Sequence, residues 1–472
     1  MHTLDQLRSG ALIGARRLDL SCGLRELPPE VFDLADSLEV LNLSGNQLTR
    51  LPDDLPRLKK LKVIFCSDNP FTRLPDVLGN CASLQVVGFK ACQIREAPGA
   101  ALPPQLRWLI LTDNAVAHLP GELGERPALQ KLMLAGNRLP SLPDSLAQAN
   151  RLELIRLSAN QLTQVPSWLP QLPRLAWLAL AGNPLDWHRP EPAAIARVDW
   201  AQVRLAERLG EGASGHIYRA QVNNGDDSQS LALKLFKGSV TSDGLPEHEL
   251  AACLVAGQHP ALCTPVAELQ GHPDGTPGLL LPLIPATHIN LAGPPSLDTC
   301  TRDLYAHGLR IPLPLVQKLA LSIAQALTHL HVHGVMHGDL YAHNILWSPG
   351  TGDAVLSDFG AATLLPTGDA VTCRQLQSLE VRAFGCLLEE LLEHSDVQTS
   401  ARGEKIRTVA LACLDTQPSA RPEAADVLAQ IAAEKKKKMG CILAENASKA
   451  RGFTSDELAF YRSVQCTTLY FP

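Results

Sequence analysis

The sequence predicts a multidomain α/β protein: a solenoid of short parallel strands, followed by a second, non-repetitive α+β domain. Three observations carry that reading. One leucine-rich phrase returns every 22 or 23 residues through the first half of the chain, the return stops after Asn183, and the second half holds glycine, lysine, aspartate and asparagine motifs in order but far apart. At about 100–200 residues per domain, 472 residues allow more than one sizeable core. With 45% apolar and 19% charged residues the composition is that of packed cores and not of a disordered chain. A balance of 42 basic against 48 acidic residues, net −6, removes any global attraction to nucleic acid or an anionic membrane. The 12 cysteines are scattered without a CxxC pair, which predicts reduced thiols and a cytoplasmic protein. The start of the chain lacks the apolar core of a secretory signal, and no run of about 20 apolar residues would span a bilayer.

The repeating phrases begin at Leu38, Leu61, Leu84, Leu106, Leu129, Leu152 and Leu175, with a weaker copy from Leu18, making about eight units. Alternating leucines such as Leu41 and Leu43 suit a strand with one buried face, and Leu48 returns to the same core after a turn. Each unit leaves its edges bare, so stability requires stacking. Asn46, Asn69, Asn114, Asn137, Asn160 and Asn183 recur at the turn, with Cys92 once in their place. There a side-chain amide can satisfy backbone groups inside the coil, a structural role. Prolines in stretches such as LPDDLPRL predict irregular returns in place of long helices. The phrase LxxLxLxxNxLxxLP resembles the leucine-rich repeats, over residues 16–186.

The strand positions facing away from the leucine core include Phe65, Lys90, Trp108, Ile110, Met133, Arg156 and Trp177. Aromatic residues, Met and Arg dominate protein interfaces, so this concave row is expected to take a protein partner. The alternative is that these side chains pack against one another or against the second domain.

The second domain opens near Val203 with Gly210, Gly212 and Gly215, and Lys234 follows on an apolar, strand-like run. HGDLYAHN stands at 337–344 and LSDFG at 356–360. In this order the motifs resemble those of the protein kinases, over residues 203–434. The resemblance implies a bilobal protein-kinase-like domain using ATP and Mg2+. It implies that Leu209, Gly210, Gly212, Gly215, Ile217 and Ala232 surround the nucleotide, and that Lys234 grips its phosphates with Glu249 as carboxylate partner and Glu247 in reserve. By the same resemblance Asp339 accepts the substrate hydroxyl proton, Asn344 and Asp358 hold the metal, and Arg421 braces the large lobe. His329, His331 and His333 sit at a helix end before the catalytic loop, which favours a structural role over a metal site.

The departures are informative. Gly338 stands where regulated kinases carry Arg, removing the charge that would dock a phosphorylated activation loop. Tyr341 replaces the Lys of serine/threonine-directed members, and the stretch from Asp358 to Glu380 is short for a peptide platform. The expected function is phosphorylation of serine or threonine in proteins. A catalytically weak scaffold and a kinase of a non-protein acceptor are the alternatives, and the repeats are expected to recruit a partner or to cover the cleft. The expected organisation is 1–186 solenoid, 187–202 cap and linker, 203–434 kinase-like domain, and 435–472 a basic tail without a readable motif.

Overall fold

A computed structural model of the chain describes residues 2–191, 194–211, 215–224, 227–237, 241, 243–396 and 400–433. Gly212 and the tail beyond residue 433 lie outside the described residues.

The repeats form an eight-stranded parallel sheet in sequence order. Its strands are β1 (Arg17–Asp19), β2 (Val40–Asn42), β3 (Val63–Phe65), β4 (Val86–Gly88), β5 (Trp108–Ile110), β6 (Lys131–Met133), β7 (Leu154–Arg156) and β8 (Trp177–Ala179). Register is one repeat per strand, so Leu41 pairs with Ile64 and Ile155 with Leu178. The middle residue of each strand enters a continuous leucine core. The turns after β2 to β8 need a left-handed residue just before the asparagine, or before Cys92 in the one repeat that lacks it: Gly45, Asp68, Ala91, Asp113, Gly136, Ala159 and Gly182 all have positive φ. The asparagine then ties neighbouring coils together. Asn137 donates from Nδ2 to the Leu111 and Leu134 carbonyls at 2.8 and 3.0 Å and accepts from the Val116 amide at 3.0 Å. On the convex side proline starts single 3₁₀ turns such as Asp76–Asn80 and Asp144–Gln148, in keeping with its fixed φ. Helix α1 (Leu4–Arg8), capped by Thr3, buries Leu7 over the first coil.

A six-stranded sheet follows, in the order β10-β11-β12-β14-β13-β9. Here β9 is Ala196–Asp199, β10 Val203–Glu211, β11 Gly215–Asn224, β12 Asp227–Phe236, β13 Ala267–Gln270 and β14 Gly278–Pro282. Strand β9 comes from the stretch expected to be cap and linker, and it pairs in parallel with β13, Ala196 opposite Ala267. Its backbone thereby satisfies the outer edge of the sheet. Helix α2 (Pro246–Ala256) packs beside this sheet, and its first residue is the proline that tolerates the N-terminal turn.

The larger lobe contains helices α3 (Leu313–Val332), α4 (Ala370–Glu393), α5 (Ala401–Cys413) and α6 (Ala424–Ala432). Two small sheets accompany them: β15 (Ile289–Asn290) with β17 (Ile345–Trp347) and β18 (Ala354–Leu356), and β16 (Val335–Met336) with β19 (Thr363–Leu364). No helix among the described residues is long and apolar enough to cross a membrane.

Residues 1–431 form one compact unit. The two halves share their cores: Leu154, Ala176 and Trp177 of the repeats belong to the apolar cluster around Leu340 and Phe359. Met336, Leu365, Leu376 and Leu379 of the large lobe belong in turn to the repeat core.

Candidate active site

The sheet of the small lobe aligns the glycine-rich stretch with the lysine. Gly210 on β10 stands opposite Ile217 on β11, which stands opposite Lys234 on β12, and Arg219 pairs with Ala232. Leu209 is exposed at the end of β10. Gly215 has a packing reason to be glycine, because a Cβ there would lie 2.6 Å from the Leu235 carbonyl oxygen and 3.3 Å from Lys234 Cγ. Lys234 is 7% exposed and its ammonium forms an ion pair with the buried Glu249 of α2, so Glu249 and not Glu247 is its carboxylate. Burial opposes the Lys234 charge, yet the carboxylates of Glu249 and Asp358 outweigh it and hold the lysine above its ordinary pKa. The lysine therefore stays cationic.

Asp339 lies between β16 and β17 in the loop that carries Asn344. Asn344 donates from Nδ2 to Asp339 Oδ2 at 2.8 Å and to the Asp339 carbonyl at 3.0 Å. This uses the amide nitrogen and leaves Asn344 Oδ1 as the atom able to ligate a cation. Asp358 adopts φ +61°, an uncommon conformation for a residue with a Cβ, and accepts from the Gly360 amide at 3.2 Å. Phe359 is buried with its ring centroid 5.0 Å from that of His337. Oxygen donors from one carboxylate and one amide suit a hard cation such as Mg2+, so the residues fit the metal that the motifs imply.

The repeats reach this centre directly. Arg156, at the end of β7, has a side chain only 3% exposed. It donates from Nη2 to Asp339 Oδ1, from Nη1 to the Gly338 carbonyl at 3.0 Å, and from Nε to Asp243 Oδ1 at 2.7 Å. Trp177 stacks on Tyr341 with centroids 4.2 Å apart and planes 7° apart, while its Nε1 donates to the Leu340 carbonyl at 3.0 Å. Burial by itself would raise the Asp339 pKa. The guanidinium of Arg156, joined by His343, His337 and the Asn344 amide, reverses that and holds the carboxyl below its ordinary range. Burial pushes the Tyr341 phenol well up, and its hydroxyl has no hydrogen-bond partner among the described residues.

Gly338 is explained by the same contact. A Cβ there would stand 2.5 Å from the Leu178 carbonyl oxygen and 2.7 Å from that of Ala361, at φ +74°. No side chain fits between the catalytic loop and β8. The Gly338 amide donates to Glu380 Oε1 at 2.8 Å, and His331 Nε2 lies 2.9 Å from Glu380 Oε2. His329 Nε2 lies 2.7 Å from the Ala256 carbonyl and His333 Nδ1 2.7 Å from the His329 carbonyl, so each histidine of the cluster has a local polar neighbour. Arg421 donates to the Ser378, Asp415 and Pro173 carbonyls, bracing the lobe and tying it to the repeats as well.

Of the concave residues expected to meet a partner, Arg156 and Trp177 are buried against the second domain. Met133 packs partly against that domain's apolar cluster. Phe65 and Trp108 are half-buried, and Lys131 sits over the Trp108 ring at 4.2 Å. Sequence reasoning did not find Asp243 or the role of Arg156 toward Asp339, since the three acceptors of that guanidinium lie 87 to 183 residues away.

The family profile described as Protein kinase domain matches residues 203–381, Leucine rich repeat matches 104–162 and 127–185, and Leucine Rich repeats (2 copies) matches 36–80. Among curated proteins, the serine/threonine-protein kinase mos of Xenopus laevis is 29% identical over 197 residues, covering 40% of this chain and 51% of that protein. The DNA damage-responsive serine/threonine-protein kinase RqkA of Deinococcus radiodurans is 33% identical over 169 residues, 34% of this chain and 22% of that protein. The chain thus spans about half or less of the length of these relatives. A solved leucine-rich-repeat protein of Leptospira interrogans is 31% identical, covering 36% of this chain and 50% of its own, with a TM-score of 0.31.

Proposed function

The chain joins leucine-rich repeats to a protein kinase domain, and on that premise we propose that it transfers the γ-phosphoryl group of ATP to a serine or threonine hydroxyl of a protein. The reading is supported by the buried Lys234–Glu249 ion pair, which also feels Asp358, together with the Asp339–Asn344 clamp. Lys234 orients the phosphates, and Glu249 keeps the ammonium aimed. Asn344 Oδ1 and the Asp358 carboxylate are the groups that would hold Mg2+, which neutralises phosphate charge when bound. Asp339 orients the acceptor hydroxyl and takes its proton as the new oxygen–phosphorus bond forms and the bond to ADP breaks. The serine/threonine preference is supported by the names of the relatives. Phe65 and Trp108, not fully covered, remain candidates for a protein partner on the repeats.

The test is phosphoryl transfer from ATP and Mg2+ to a mixed serine/threonine/tyrosine peptide library by the full chain. Asp339→Asn should lower transfer about 10²–10⁴-fold, the contribution of a positioned base, with nucleotide affinity retained. Equal transfer by Asp339→Asn and wild type would sink the assignment.

A further inference from the structure

We propose that Arg156 is an internal lock on the kinase: the repeat array holds the enzyme off by capping the catalytic carboxylate, and transfer to a protein requires that this guanidinium leave Asp339. The inference rests on the kinase reading and concerns the regulation of that same site. An acceptor hydroxyl needs a lone pair of Asp339 within about 2.6–3.2 Å. Asp339 Oδ2 already accepts from the Asn344 amide, and the buried Arg156 guanidinium sits on Oδ1, where the acceptor hydroxyl would have to approach. Trp177 in addition covers Tyr341, the residue two places after the base, by stacking on it. A peptide laid across this loop would have to displace both side chains.

The lock grips both lobes. Through Asp243 the guanidinium reaches the segment just before α2, the helix that carries Glu249. That segment is pressed between the repeats and the DFG turn, since a Cβ on Gly244 would be 3.2 Å from the Gly360 carbonyl oxygen and 3.4 Å from Ser158 Cβ. The nucleotide-side ion pair Lys234–Glu249 is formed all the same. What the contact blocks is therefore the acceptor side, with the nucleotide side already assembled. Gly338 completes the case. Where a kinase activated by loop phosphorylation has its own arginine, this chain has a glycine that admits the β8 backbone, and a guanidinium enters from β7 in its place. Release of the Arg156 guanidinium from Asp339 thus takes over the switching role from a phosphate on the loop.

The experiment uses the full chain in the series wild type, Arg156→Lys, Arg156→Gln and Arg156→Glu. It reads transfer to the peptide library, peptide KM and kcat, Mg2+–ATP affinity, and amide exchange over residues 338–344. Lysine keeps a charge but cannot fork between three acceptors, glutamine removes the charge, and glutamate repels Asp339 and Asp243. Transfer should rise along the series, by about 5–150-fold from wild type to Arg156→Gln, a typical coupling between two states. Peptide KM should fall, exchange over 338–344 should quicken, and ATP affinity should stay unchanged. A merely structural arginine would instead lower melting temperature and transfer together. If Arg156→Glu fails to fold, Arg156→Lys carries the test. Transfer unchanged or reduced in Arg156→Lys and Arg156→Gln, with an active wild type, overturns the lock and leaves the kinase standing. Mg2+–ATP binding with no transfer by any member of the series overturns both.

Discussion

At Gly338 a single missing side chain connects the catalytic loop to the repeats. In sequence it reads as the loss of an arginine, and so as the loss of a phosphate-docking charge. The carbonyls of Leu178 and Ala361 explain the loss sterically, for they occupy the space where any Cβ would go. Gly338→Ala should destabilise the folded chain by about 1–3 kcal/mol, from the positive φ and from the forced separation of the loop from β8. A denaturant melt that matched wild type would contradict this packing. Gly215 shows the same principle in the small lobe. The motif resemblance assigns it to phosphate approach, whereas its contacts with Leu235 and Lys234 supply a second reason that no motif contains. The motif residues could be recognised from the sequence because their chemistry restricts residue type. Arg156 could not be assigned its contact with Asp339, because a guanidinium on a concave strand reads equally as an interface residue until its acceptors are placed around it.

At the scale of elements, the repeat unit was fully legible. Strand, asparagine turn and proline-led return each follow from local chemistry, and eight strands fall where the phrases predict them among the described residues. The asparagine ladder is the part most exposed to test. Removing the Asn137 amide strands the Val116 N–H inside the coil and takes one of two asparagine donors from the Leu111 and Leu134 carbonyls, which Asn114 and Asn160 also serve, so Asn137→Ala should cost about 1–3 kcal/mol. Urea unfolding would measure it, and a loss near zero would mean that the coil relaxes enough to let water in. Strand β9 was not legible. Four residues with the burial pattern of an exposed edge carry no period of their own, and only the open edge of β13 gives them a partner.

Across the whole molecule, solenoid and large lobe share apolar clusters, and Arg421 and Arg382 of the lobe donate to the Pro173 and Arg174 carbonyls of the last repeat. Arg107 and Gln130 extend the same seam to Asp298 and Thr301. We therefore expect the repeats and the large lobe to unfold in one calorimetric transition. Two transitions, one of them assignable by amide exchange to residues 16–186 alone, would show that the seam adds little stability. A kinase fragment cut free of its repeats would expose the side of the cluster that Leu154 and Trp177 now cover, so point substitutions at Arg156 are the cleaner probe of regulation. The sequence by itself determined the two kinds of module and the turn chemistry of the repeats, and it singled out the residues proposed to handle a nucleotide, since each is encoded by local periodicity or by residue type. Only the tertiary structure decided that the concave face turns inward onto Asp339. That contact joins residues 183 positions apart, and its direction depends on how two finished surfaces fit together, which no local stretch of chain encodes.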